Sequence, residues 1–172
     1  DTKPGNTADR RFYSHYYPRR LQAEVLLDAI SQATGMPESF PGYPQGMRAI
    51  QLPGPNTESY FLTAFGRSDR VTACACERNG DVSLSQLLHL QNAEALQQKI
   101  ASGDGRLGKL LAAETDNQRV LDELFLTTYT RLPTKDEQET LLADGKDSAA
   151  RATLMQDILW ALLNSKEFSF NR

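Results

Sequence analysis

The stretch DNQRVLDELFLTTYTRLPTKDEQETLLADGKDSAARATLMQDILWALLNSK, residues 116–166, decides the fold class. Its apolar-side positions return every three or four residues. Val120, Leu121, Leu124, Phe125, Thr128 and Tyr129 form one run, and Leu154, Ile158, Leu159, Leu162 and Leu163 form another. On a helix of about 3.6 residues per turn, that spacing gathers each set on one face, which water drives against a similar face. Asp116 stands where a carboxylate can accept from the unpaired N–H groups of a first turn, opening a helix over 117–130. Thr134 and Glu137 have the spacing of a reciprocal capping box and open a helix to about residue 143. After the polar break DGKDS the stripe resumes over 149–166. Helices joined by loops this short pack as neighbours.

Upstream the same pattern recurs more weakly. Leu21, Val25, Leu26, Ala29 and Ile30 predict an amphipathic helix over 19–34, with Pro18 in its first turn. Gly35 ends it, and Pro37 lies just beyond. Residues 36–57 hold five prolines and three glycines, so they form a long irregular connection that Met47, Ile50 and Leu52 tack to the core. A short strand over 48–52 is expected inside it. Helices are expected over 59–65, over 83–91 behind a Ser83/Gln86 capping box, over 93–101, and from about 104 to 113. The expected fold is therefore mainly α: an irregular multi-helix bundle with a long Pro/Gly-rich loop. Residues 1–10 are a polar linker or frayed terminus. Residues 11–172 form a single helical domain, with a division into 11–113 and 114–172 as the alternative.

Composition excludes several classes. The net charge of −3 and pI near 5.4 argue against nucleic acid as a partner, because neutralising phosphates needs a basic face. No apolar run approaches the roughly 20 residues that span a bilayer, so membrane insertion is not expected. The chain opens at Asp1 without a charged and then apolar leader.

The string Cys74-Ala75-Cys76-Glu77-Arg78 is the most unusual in the chain, and it holds the only two cysteines. Three readings stay open for them: buried reduced thiols acting as small apolar groups, a strained disulfide across one residue, or half of a zinc site with His89 and His15. The last is disfavoured because closed zinc sites show paired ligand spacings. His89 lies between Leu88 and Leu90 on an expected helix, and His15 sits among aromatics; packing accounts for both. Arg67, Arg70 and Arg78 cluster in the middle of the chain, with Arg19 and Arg20 as further candidates beside them. Guanidinium groups of this kind either tie the long loop to the first helix through pairs with Glu24, Glu58, Asp69 or Glu77, or line a ligand or interdomain contact. Asp136, Glu137 and Glu139 complement a helix start, so they need no catalytic role. No nucleophile elbow, metalloprotease helix, phosphate loop or calcium loop is present. No catalytic residue, metal ligand or cofactor-binding residue is assigned.

Three strings carry a family resemblance: YPRRLQAEVLLDAISQATG (17–35), FGRSDRVTACACERNGDVSLSQLLHLQN (65–92) and LWALLNSKEFSFNR (159–172). Together they resemble domain of unknown function 1553, the C-terminal domain of large planctomycete surface proteins. The resemblance implies an exported, periplasmic or cell-surface setting. It also implies upstream domains of the same polypeptide, often cytochrome-c-like, with the final string as the natural end of the chain. It carries over no catalytic residue, and any haem belongs to another domain. An exported setting favours the Cys74–Cys76 bridge somewhat more. The leading expectation is a noncatalytic helical module that packs against or positions upstream domains. The alternative is part of an enzyme or ligand-binding site acting on an extracellular polymer, with Arg67, Arg70, Glu77 and Arg78 in its pocket. Oligomeric state is not readable from these residues.

Overall fold

A computed structural model describes residues 3, 5–9, 11–12, 14–16, 18–54, 57–67, 94–143 and 148–171. Among them the chain is mainly helical: α1 Ala23–Thr34, α2 Tyr60–Ala64, α3 Glu94–Ala101, α4 Arg106–Ala113, α5 Asn117–Tyr129, α6 Lys135–Leu141, α7 Ser148–Leu163 and α8 Lys166–Ser169. Two short strands, β1 Arg19–Arg20 and β2 Phe170–Asn171, pair antiparallel. The helix expected over 83–91 lies outside the described residues.

The core forms where the apolar stripes meet. α1 turns Leu26, Leu27, Ile30 and Ala33 inward, and α5 adds Val120, Leu121, Leu124 and Phe125. α7 buries Met155, Ile158, Leu159, Leu162 and Leu163. Those five cover more than one narrow stripe, because α7 packs against α3, α4 and α5 together. α1 touches α2, α4 and α5, so the two long apolar helices hold the smaller ones around them.

The capping signals appear as side-chain hydrogen bonds. Asp116 Oδ1 accepts from the Gln118 N–H at 2.9 Å. Thr134 Oγ1 accepts from the Glu137 N–H at 3.3 Å, and Glu137 Oε2 accepts from the Thr134 N–H at 2.7 Å, completing the box. Ser59 Oγ accepts from the Leu62 N–H to start α2.

Three local expectations change. The first helix begins at Ala23 instead of residue 19, because Arg19 and Arg20 are extended and pair with Asn171 and Phe170 at the other end of the chain. The segment over 48–52 is a 3-10 turn, Ala49–Gln51, and not a strand. The Asp28 carboxylate on α1 accepts from the N–H groups of Ala49 at 2.7 Å and Ile50 at 3.3 Å, holding both in turn geometry. The helix expected over 149–166 stops at Leu163. Ser165 then caps a new helix, α8, by accepting from the Phe168 N–H at 3.1 Å.

Gly108 shows how closely α4 approaches the preceding turn. A Cβ there would stand 2.6 Å from the Gly103 carbonyl oxygen and 2.7 Å from the Ser102 carbonyl oxygen. Both are backbone atoms and cannot rotate away. Gly108→Ala gains about 1 kcal/mol of helix propensity, yet a net loss of about 1–2 kcal/mol is expected from this overpacking. A urea midpoint unchanged or raised relative to the parent chain would contradict it.

Candidate functional site

The cleft that best fits a binding role opens where α1, the start of the long loop, α2 and α3 come together. Its volume is about 340 Å³, within the usual range for small-ligand pockets. Leu27 and Ile30 reach it from α1, Phe40 from the loop, Phe61 from α2, and Leu96 from α3. Leu27, Ile30, Phe40 and Leu96 are buried, so the floor is apolar and fixed. Phe61 is held by an offset stack on Phe65, with centroids 4.2 Å apart. The Arg20 guanidinium lies 5.6 Å from the Phe65 ring and donates to the Phe65 carbonyl at 3.2 Å, which braces that stack from behind. Burial lowers the pKa of Arg20 from its ordinary value.

Charged groups lie at the mouth. Lys99 Nζ is 3.2 Å from Glu38 Oε2 and donates to the Met36 carbonyl at 2.8 Å. Its charge therefore ties α3 to the loop after α1. Glu58 also lines the cleft, is exposed, and makes no hydrogen bond or ion pair with any described residue. Tyr60 beside it is 69% exposed. A recess with an apolar floor, aromatic walls and a carboxylate at its edge is suited to binding. Among the described lining residues, neither Ser39 nor Ser59 donates a hydrogen bond to a base, the link that nucleophilic chemistry needs.

A second cluster joins α5, α6 and α8. The Arg131 guanidinium donates to Glu137 at 2.8 Å from both Nη1 and Nη2, and to Glu167 at 2.9 Å from Nε and 3.0 Å from Nη2. The same group lies 5.2 Å from the Phe125 ring centroid and 5.3 Å from that of Tyr129. The hydrogen bonds to Glu137, then those to Glu167, raise the Arg131 pKa further. Arg131, and next the Thr134 N–H, hold the Glu137 carboxyl down at about 2. The Tyr129 hydroxyl donates to Ser165 Oγ at 2.7 Å, and burial is the main cause of its raised pKa. All these partners are protein groups, so the cluster is a clamp between helix ends.

Of the candidate ligand, metal and redox residues named in the sequence, His15, Arg19, Arg20 and Arg67 fall among those described. Arg70, Cys74, Cys76, Glu77, Arg78 and His89 lie outside them. The Arg67 side chain is 5% exposed; its Nε stands 4.0 Å from Glu24 on α1, and its Nη2 donates to the Gly54 carbonyl of the long loop. Among the described residues, no group of three or more His, Cys, Asp or Glu is placed to hold a metal ion. Local patterns miss the cleft residues Glu38, Phe40, Tyr60, Leu96 and Lys99, because three separate segments supply them, and they name Glu58 only as an ion-pair candidate. The adjacent pair Tyr60–Phe61 on a short helix behind an unmatched Glu58 is the signal that points there.

No curated protein and no solved structure matches this chain. The profile of the family PSD1, described as a protein of unknown function (DUF1553), matches residues 2–143, most of the sequence. The chain belongs to that family.

Proposed function

We propose that this chain is a noncatalytic helical module of a larger exported or cell-surface protein, and that it positions upstream domains of the same polypeptide. The observation that carries this reading is the cleft between α1, α2 and α3. Its floor is apolar and built on helices, and an aromatic side chain stands exposed at its mouth. A rigid recess of this kind receives a protruding side chain of a partner at little entropic cost to itself. The internal pairing of Arg67 with Glu24, of Lys99 with Glu38, and of Arg131 with Glu137 and Glu167 supports a binding role, since it keeps those charges fixing the scaffold. Among the described residues no helix is long and apolar enough to cross a membrane, so the reading does not need one.

Amide hydrogen exchange tests it. In a longer polypeptide that includes the upstream domains, the amides of residues 58–65 and 95–99 are expected to exchange more slowly than in the chain alone. Equal exchange at those amides in both would overturn domain docking at this cleft.

A further inference from the structure

We propose that the cleft between α1, α2 and α3 selects a cationic group carried on an apolar body, presented by an upstream segment of the polypeptide in which an apolar side chain adjoins a lysine or arginine. The proposal rests on the docking reading and adds the chemistry of the occupant. Charge at the mouth of the apolar recess decides what it selects. The floor of Leu27, Ile30, Phe40 and Leu96 rewards any apolar group that fills it, whatever charge follows behind. Discrimination must come from the rim. There Lys99 is already engaged by Glu38 and the Met36 carbonyl. Glu58 is engaged by no described residue. Among the described residues that line the opening, the uncompensated charge is therefore negative. An anion is repelled, a neutral group gains burial alone, and a cation gains burial together with attraction to Glu58. The exposed Tyr60 lines the same opening. The volume of about 340 Å³ is in the small-ligand range and admits an apolar side chain together with its cationic neighbour.

The test uses three soluble probes with the same aromatic body: 2-phenylethylammonium, 2-phenylethanol and 3-phenylpropionate, titrated into the 172-residue chain and read at the Leu27 and Leu96 methyl resonances. The ammonium is expected to bind about fivefold more tightly than the alcohol, the scale of one exposed charge pair, and the carboxylate most weakly. Glu58→Gln is expected to bring the ammonium down to the affinity of the alcohol while leaving the alcohol unchanged. In the longer polypeptide the ammonium is expected to lose access to those methyls. Equal binding of the three probes, no binding of the ammonium, or an ammonium preference that survives Glu58→Gln overturns the charge selection. Charge-blind binding together with slowed exchange at residues 58–65 would sink this proposal and leave domain docking standing. Undiminished access in the longer polypeptide overturns the assigned source. So does a concentration-dependent mass abolished by Phe12→Ala, because that would place the exposed Arg11–Phe12 pair of a second copy in the cleft.

Discussion

Arg131→Met is expected to lower stability by about 2–3 kcal/mol and the melting temperature by about 5–10 °C. Methionine keeps an apolar stem near the Phe125 and Tyr129 rings but removes every charged contact. Four charge-assisted hydrogen bonds disappear, two to Glu137 and two to Glu167. Solvent reaches the cluster, with about a third of the Arg131 and Glu137 side chains exposed, so each bond counts for less than in a dry interior. The fork geometry and the shared guanidinium raise the total above that of an ordinary surface pair. Glu137 keeps the Thr134 N–H, whereas Glu167 loses both Arg131 bonds. Acid should reveal the same clamp. The Glu137 carboxyl titrates near 2 in the folded chain and at its ordinary value of 4.5 when unfolded. The folded state thus binds this proton less readily, and the stabilisation is complete above about 4.5 and lost as pH falls toward 2. Urea midpoints measured from pH 6 down to pH 2.5 should therefore fall more steeply for the parent chain than for Glu137→Gln. Parallel slopes would remove Glu137 from the account of acid sensitivity.

The same cluster shows where local reading stops. The Thr134–Glu137 box is legible because both hydrogen bonds close within four residues, where sequence spacing and spatial distance are the same thing. The Arg131 fork is half legible: Glu137 is six positions away, but Glu167 is 36 positions away and arrives only when α8 docks. α5 and α7 declare themselves through periodicity, which states which face is buried and not what covers it. That is why α1 is expected four residues too long. Arg19 and Arg20 fit the helical pattern, and a strand pair with residues 170–171 overrides it. Local propensity for a short strand over 48–52 likewise yields to the Asp28 carboxylate, 21 residues upstream of Ala49. The cleft was the least legible feature. Its floor residues read individually as core, and nothing in a linear sequence records that α1, Phe40 and α3 leave a gap between them. For Arg67, its chemistry was visible as a paired guanidinium, and Glu24 on α1 is the candidate carboxylate that the described residues bring to it.

Phe125→Ala is expected to cost about 3–5 kcal/mol, the range for removing a large aromatic side chain from a packed core. Phe125 is 1% exposed and lies among the apolar faces of α1, α5 and α7. Its ring meets Tyr129 edge to face, with centroids 5.4 Å apart and planes at 85°, a geometry that adds to simple burial. The ring also underlies the Arg131 guanidinium. Truncation therefore leaves a cavity and also removes one wall of the clamp. Phe125→Leu fills most of the volume and should cost about 1–2 kcal/mol. Urea unfolding checks both, with an unchanged m-value showing that the denatured state has not shifted. The Phe125→Ala/Arg131→Met double variant should lose about 0.5–1.5 kcal/mol less than the sum of the two single losses, because each removes the other's partner. Strict additivity would mean that ring and guanidinium contribute separately, and that the clamp is held by its carboxylates alone. A loss below about 1 kcal/mol for Phe125→Ala would mean something larger: that water already reaches this position, contradicting the packing of α5 against α1 and α7.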